Sequence, residues 1–85
     1  MLFDEDEFAK DHSMTLVDVH SILSSDTYTD AYNAEVRRLK DTYQPGDQCW
    51  YYCSKDELWA EHMGSEGYLL VRNNVVIDSI VSRMN

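Results

Sequence analysis

The strongest pattern along the chain is helical. Tyr28, Tyr32, Val36, Leu39 and Tyr43 recur at spacings of 4, 4, 3 and 4, which puts them on one face of an α-helix. Thr27-Tyr28-Thr29-Asp30 stands at the start as a T-x-x-D box, a side-chain cap for the first turn, and Gln44-Pro45-Gly46-Asp47 ends the helix. Arg37, Arg38 and Lys40 fall towards its C-terminal half, where the helix dipole favours cations, and Glu35 can pair with Arg38 across the outer surface. Upstream, Thr15-Leu16-Val17-Asp18 has the same box form. It predicts a helix over about 16–24, with Leu16, Val19, His20 and Leu23 on one stripe and Ser24-Ser25-Asp26 at its end. His20 is then a partly buried structural residue. Residues 1–13 hold only Phe3 and Phe8 as large anchors and read as a helical turn or a mobile acidic docking arm.

Beyond the Pro-Gly turn the pattern shortens. Gln48-Cys49-Trp50-Tyr51-Tyr52-Cys53 is aromatic-rich and predicts a strand. Ser54-Lys55-Asp56-Glu57 is an S-x-x-E box opening a short helix through Leu58, Trp59, His62 and Met63, with Gly64 at the left-handed cap. Residues 67–72 and 75–81 flank Asn73-Asn74, and asparagine tolerates the positive φ of a type I′ hairpin turn. An unbroken register sets Val71 opposite Val76, Leu70 opposite Ile77 and Leu69 opposite Asp78. Both faces of this hairpin carry aliphatics, so helices or a partner must cover each side. The expected fold is α+β: two to three helices followed by a small antiparallel sheet of about three strands, all in one domain over 1–85.

Composition narrows the function classes. Eighty-five residues support one modest core, and 44% hydrophobic with 27% charged residues is the balance of a folded chain rather than a disordered one. No apolar run approaches the roughly 20 residues that span a bilayer. The start, Met1-Leu2-Phe3-Asp4-Glu5-Asp6-Glu7, lacks the basic residues of a secretory leader, so a cytoplasmic protein is expected. The net charge of −9 is unevenly placed: residues 1–30 hold eight acids against Lys10 alone, for −7, and residues 31–85 hold eight acids and six bases, for −2. Such a field repels phosphates, which argues against direct nucleic-acid binding and against docking on anionic membranes. It attracts basic proteins and accelerates their encounter.

Candidate chemistry is sparse. Cys49 and Cys53 lie roughly 13 Å apart along a strand, too far for a disulfide, which needs Cα atoms within about 7 Å. They are expected on one face of the sheet, reduced and buried as small apolar residues. His12, His20 and His62 are scattered without zinc-ligand spacing, so no metal site is expected. There is no nucleophile elbow and no glycine-rich phosphate loop, and acids such as Asp4, Glu7, Asp56 and Glu57 suit helix starts and solvated surfaces better than acid–base work. Neither enzymatic activity nor a cofactor is expected.

One resemblance bears on function. Gly46-Asp47, Trp50-Tyr51-Tyr52, Ser54, Leu58-Trp59, Gly64, Gly67-Tyr68, Leu70-Val71-Arg72, Asp78-Ser79-Ile80-Val81 and Met84-Asn85 follow one another in that order. This layout resembles a group of small bacterial proteins with the pattern G-D-x-x-W…W…G…G-[YF]-x-L-V-R…I-V-x-x-M-N. The resemblance covers about residues 46–85, leaves the acidic first third outside, and carries no catalytic residue across. It implies association with toxin loci, and hence an immunity protein.

Together with the charge, it makes a non-enzymatic acidic inhibitor the leading expectation, an immunity protein that neutralises a basic, nuclease-like bacterial toxin. Asp4, Glu5, Asp6, Glu7, Asp11, Asp18, Asp26 and Asp30 are then the candidate contacts, with Tyr28 or Tyr32 as aromatic anchors. Two alternatives stand beside it. One is a phage-type anti-defence protein that mimics nucleic-acid charge; the other is a structural helper domain that forms a homodimer or larger homo-oligomer.

Overall fold

The structure, a computed structural model, describes residues 2–23 and 28–84. Among them the elements run α1 (Glu5–Phe8), β1 (His12–Val17), a 3₁₀ turn (Val19–Ser21), α2 (Asp30–Thr42), β2 (Gln48–Ser54), α3 (Asp56–Ala60), β3 (Ser65–Arg72) and β4 (Val75–Met84). The strands form one antiparallel meander in the order β1-β2-β3-β4. The fold is α+β, with four strands rather than about three, and no helix among the described residues is long and apolar enough to cross a membrane.

The sheet separates two apolar clusters. On one face Val19, Ile22, Val36, Leu39, Cys49, Leu70 and Ile80 are buried together, with Tyr32, Tyr43 and Tyr68 at the margin. This is the face covered by α2, whose Thr29 hydroxyl caps it by accepting from the Tyr32 N–H at 3.1 Å. On the other face Trp50, Tyr52, Leu69 and Val71 pack against Phe3, Phe8, Met14 and Val76. Residues 2–8 therefore cover the face that α2 leaves open, as a sheet with aliphatics on both sides requires.

The extra strand comes from the segment predicted as a helix over 16–24. Residues 12–17 instead pair with β2 from His12 opposite Ser54 to Val17 opposite Cys49. Thr15 and Val17 are β-branched, and Tyr51, Trp50 and Cys49 stand opposite Thr15, Leu16 and Val17, giving cross-strand contacts that an isolated helix would forgo. Asp18 does cap a helical segment, accepting from the His20 N–H at 2.9 Å, but that segment is one 3₁₀ turn. Of the predicted stripe, Val19 is buried while Leu16, His20 and Leu23 are exposed, and His20 rests edge-on against Tyr43. Ser24, Ser25, Asp26 and Thr27 lie outside the described residues.

Four local expectations are also corrected. Ser54 is the last residue of β2, and its hydroxyl accepts from the Ser65 N–H at 2.9 Å, so Lys55 takes the N-cap of α3 without a side-chain bond. The left-handed residue after α3 is His62, with φ of 61°, while Gly64 is buried beneath the Trp59 ring, which a Cβ there would strike. Arg38 turns away from Glu35 and grips Asp78 on β4 through Nε at 3.1 Å and Nη2 at 2.9 Å. That grip depends on a bulge at Ile77. Asn73 and Asn74 form the turn with φ of 52° and 63°, and Val71 faces Val76, but Leu70 faces Asp78 and Leu69 faces Ser79. The extra residue moves Asp78 and Ile80 onto the α2 face, where one meets Arg38 and the other fills the core.

The turn before β2 is held by charge. Arg72 forks onto Asp47 with both contacts at 2.8 Å and also donates to the Thr42 carbonyl at 3.0 Å, while Asp47 accepts from the Gln44 N–H at 2.9 Å. Only 3% of the Asp47 side chain is exposed. The Arg72 guanidinium holds its carboxyl below the usual carboxylate range. A group with a depressed folded pKa stabilises above its unfolded pKa of about 4 and loses that contribution as pH falls through the folded value. Asp47→Asn is therefore expected to be less stable than the parent at neutral pH, with the gap closing below about pH 4. Urea unfolding midpoints of both proteins across that range provide the check.

Candidate functional site

The acidic arm is built onto the sheet rather than hanging from it. Leu2 bridges to Val75 and the Phe3 N–H donates to the Asn74 carbonyl at 2.7 Å, tying the start of the arm to the β3–β4 turn. Phe3 stacks on Phe8 with ring centroids 5.7 Å apart and tilts against Trp50 at 5.5 Å. Phe8 continues to His12 at 6.1 Å, and His12 meets the edge of Tyr52 at 5.5 Å, with its Nδ1 3.2 Å from the Phe8 carbonyl. Asp4 caps α1, accepting from the Glu7 N–H at 3.2 Å, and Lys10 pairs with Glu7 at 3.1 Å.

Docking the aromatic side of the arm leaves its carboxylates outward. Asp4, Glu5, Asp6 and Glu7 are all exposed, and no side-chain contact among the described residues engages Glu5 or Asp6. Asp4, Glu5 and Asp6 border a groove of about 470 Å³ whose other walls are Leu2, Phe3, Gln48, Trp50 and Asn74. An acidic rim around aromatic rings is chemistry suited to a lysine or arginine side chain, which gains charge pairing at its head and ring contact along its stem.

The other predicted contacts are dispersed. Asp18 follows β1 at the end of the sheet where β2 begins, and Asp11 precedes β1 at the opposite end, where its carbonyl accepts from the Lys55 N–H at 2.9 Å. Asp30 opens α2 and is exposed, and Asp26 lies outside the described residues. Tyr28 and Tyr32 stand together with ring centroids 5.3 Å apart, but on the α2 side. They border a second groove of about 560 Å³ with Glu66, Tyr68, Val81 and Arg83. Burial pushes the Tyr32 hydroxyl above the ordinary tyrosine pKa, with Tyr68 and Tyr28 adding to it. Tyr28, expected on the helical stripe, precedes the Thr29 cap of α2 and is 47% exposed, while Val36 and Leu39 further along the stripe are core.

Sequence reasoning passed over Trp50, Gln48, Glu66, Tyr68 and Arg83 as surface-forming residues. They are far from Asp4 and Tyr28 in sequence, and only strand pairing brings them alongside. Arg83 also lies over the Trp59 ring at 4.5 Å and within 3.8 Å of Glu66.

Both cysteines are free; Cys49 is buried and Cys53 partly so. Burial, with Asp18 adding to it, pushes the Cys49 thiol up to about 11, so it stays protonated at neutral pH. Among the described residues no three or more His, Cys, Asp or Glu side chains are grouped to hold a metal ion. Comparison with family models, with characterised proteins and with solved structures found no match for the chain.

Proposed function

We propose that this protein is a non-enzymatic acidic inhibitor, an immunity protein of the bacterial cytoplasm that binds and neutralises a basic, nuclease-like toxin. The observation carrying this reading is the docked arm: Phe3 lies against Trp50 and stacks on Phe8, while Asp4, Glu5, Asp6 and Glu7 are exposed. Carboxylates already held in place need less ordering when a partner arrives, and a patch of one sign steers a partner of the other. We propose with it that the layout of residues 46–85 is that of small bacterial proteins associated with toxin loci. Inhibition of this kind needs no chemistry, only an interface of roughly 1,600 Å².

The test begins with low-salt capture of the partner from lysate of the native host and measures its association rate with the parent and with a Glu5→Lys, Asp6→Lys double variant. Neither side chain holds the arm, so the fold is expected to survive. The on-rate should fall by about tenfold or more at roughly 50 mM salt, and the difference should shrink at higher salt as the charges are screened. Equal on-rates for both proteins at low salt would remove the acidic arm from the interface.

A further inference from the structure

We propose that β1 is a docking edge on which an extended segment of the partner, with lysine or arginine at both ends, adds as a fifth strand; this rests on the reading of a basic protein partner. The sheet has two edges, and they differ. β4 carries register shifts opposite Glu66/Gly67 and Leu70/Val71, a charged Arg83, and Leu2 bridged to Val75. Bulges, charges and covering segments are the features that keep an edge strand from pairing further. Among the described residues β1 has none of them. Its six residues, His12–Val17, include no proline, lysine, arginine or carboxylate, and its register with β2 is unbroken.

The backbone groups on offer follow from the ladder. The Lys55 N–H donates to the Asp11 carbonyl, which makes His12 and Ser54 a non-hydrogen-bonded pair. Pairs alternate along an antiparallel ladder, so Met14 opposite Tyr52 and Leu16 opposite Trp50 are of the same kind. The N–H and C=O groups of His12, Met14 and Leu16 therefore point away from β2. Among the described residues no hydrogen bond takes any of them. Leu16 opposes Trp50 on the arm side of the sheet and is 54% exposed, leaving apolar surface beside those free groups.

Charge selects the occupant. Asp11 and Asp18, both exposed, bracket the strand seven residues apart, roughly 23 Å along an extended chain. A second copy presents no lysine or arginine within β1 to set against either carboxylate. A strand with basic residues seven apart meets a carboxylate at each end instead. Main-chain bonds then hold it, Leu16 takes an apolar side chain across the pair, and the flanking acids choose the sequence.

The experiment follows amide hydrogen exchange in the full chain with the synthetic peptide Lys-Thr-Val-Thr-Val-Thr-Val-Lys, and with the same peptide carrying glutamate at both ends. The lysine peptide should slow exchange at His12, Met14 and Leu16 by at least tenfold, and the glutamate peptide should not. Leu16→Pro deletes an outward N–H without breaking the β1–β2 ladder and should abolish the effect. Should that variant fail to fold, Leu16→Lys keeps the backbone and should weaken the lysine peptide alone. Equal protection by both peptides, or no protection at millimolar peptide, would overturn the proposal. So would protection that rises with protein concentration and needs no peptide, which assigns the edge to a second copy. Perturbation confined to α1 would overturn strand addition while leaving the acidic-arm reading standing.

Discussion

Leu39→Ala is expected to cost about 2–5 kcal/mol, the range for deleting a large buried aliphatic whose surroundings cannot close the gap. Leu39 is 0% exposed and sits among Val19, Ile22, Val36, Cys49, Leu70 and Ile80, so the lost side chain leaves contacts open on α2, the sheet and the 3₁₀ turn together. A chain of this length has a total stability of about 4–13 kcal/mol, at roughly 0.05–0.15 kcal/mol per residue. The substitution therefore removes a large share and leaves α2 poorly attached. Leu23→Ala is the control: Leu23 is 71% exposed and should change stability by no more than about 0.5 kcal/mol. Chemical denaturation of the three proteins at one temperature decides it. A small effect at Leu39 would mean that α2 does not form the lid of this core.

The second large effect is expected at Gly67. A Cβ built there runs into the Ile80 carbonyl oxygen and stands 3.0 Å from both the Tyr52 hydroxyl and the Val81 Cα. Two of these obstacles are backbone, so relief requires β3 and β4 to separate where the ladder already shifts register. Gly67→Ala should lose about 3 kcal/mol, the upper end for overpacking, with Tyr52 displaced from its place above the glycine. Gly46→Ala separates sterics from backbone strain. Gly46 has φ of 95° and nothing within 4 Å, so an added methyl meets no atom but holds an unfavourable conformation, costing about 1–2 kcal/mol. Near-UV circular dichroism should change for the Gly67 variant, through Tyr52, and stay close to the parent for the Gly46 variant.

These residues also mark how far the sequence could be read. The helical stripe, the Pro-Gly stop, the aromatic strand and the Asn-Asn turn are local, each depending on periodicity or on dihedral preferences within a few residues; they are present, except that α2 starts at Asp30 behind its Thr29 cap, so Tyr28, expected at the head of the stripe, stands before the helix. Thr15-Leu16-Val17-Asp18 misled because threonine, valine and aspartate serve a helix start and a strand end equally well. What decided between them was an open edge of β2, some 35 residues away in sequence. Ile77 misled for a related reason. Nothing near it signals a bulge; the bulge is selected by Arg38, 40 residues from Asp78, and by the core that Ile80 fills.

The same division holds for the candidate site. Acidic crowding in residues 4–7 and the two phenylalanines beside it are plain in the sequence, because composition alone determines charge. Whether those residues dock or hang free is a tertiary matter, settled by the tilted ring contact of Phe3 with Trp50 and the bond from Phe3 to Asn74. By itself the sequence determined an acidic α+β domain with its charge loaded towards the front. Only the tertiary structure decided that Asp4–Glu7 are held on the arm side while Asp11, Asp18 and Asp30 are dispersed, that Tyr28 and Tyr32 open onto the other side, and that β1 is left as an edge. Charge and periodicity are additive properties of neighbouring residues, whereas a surface and a sheet edge exist only once distant segments have packed.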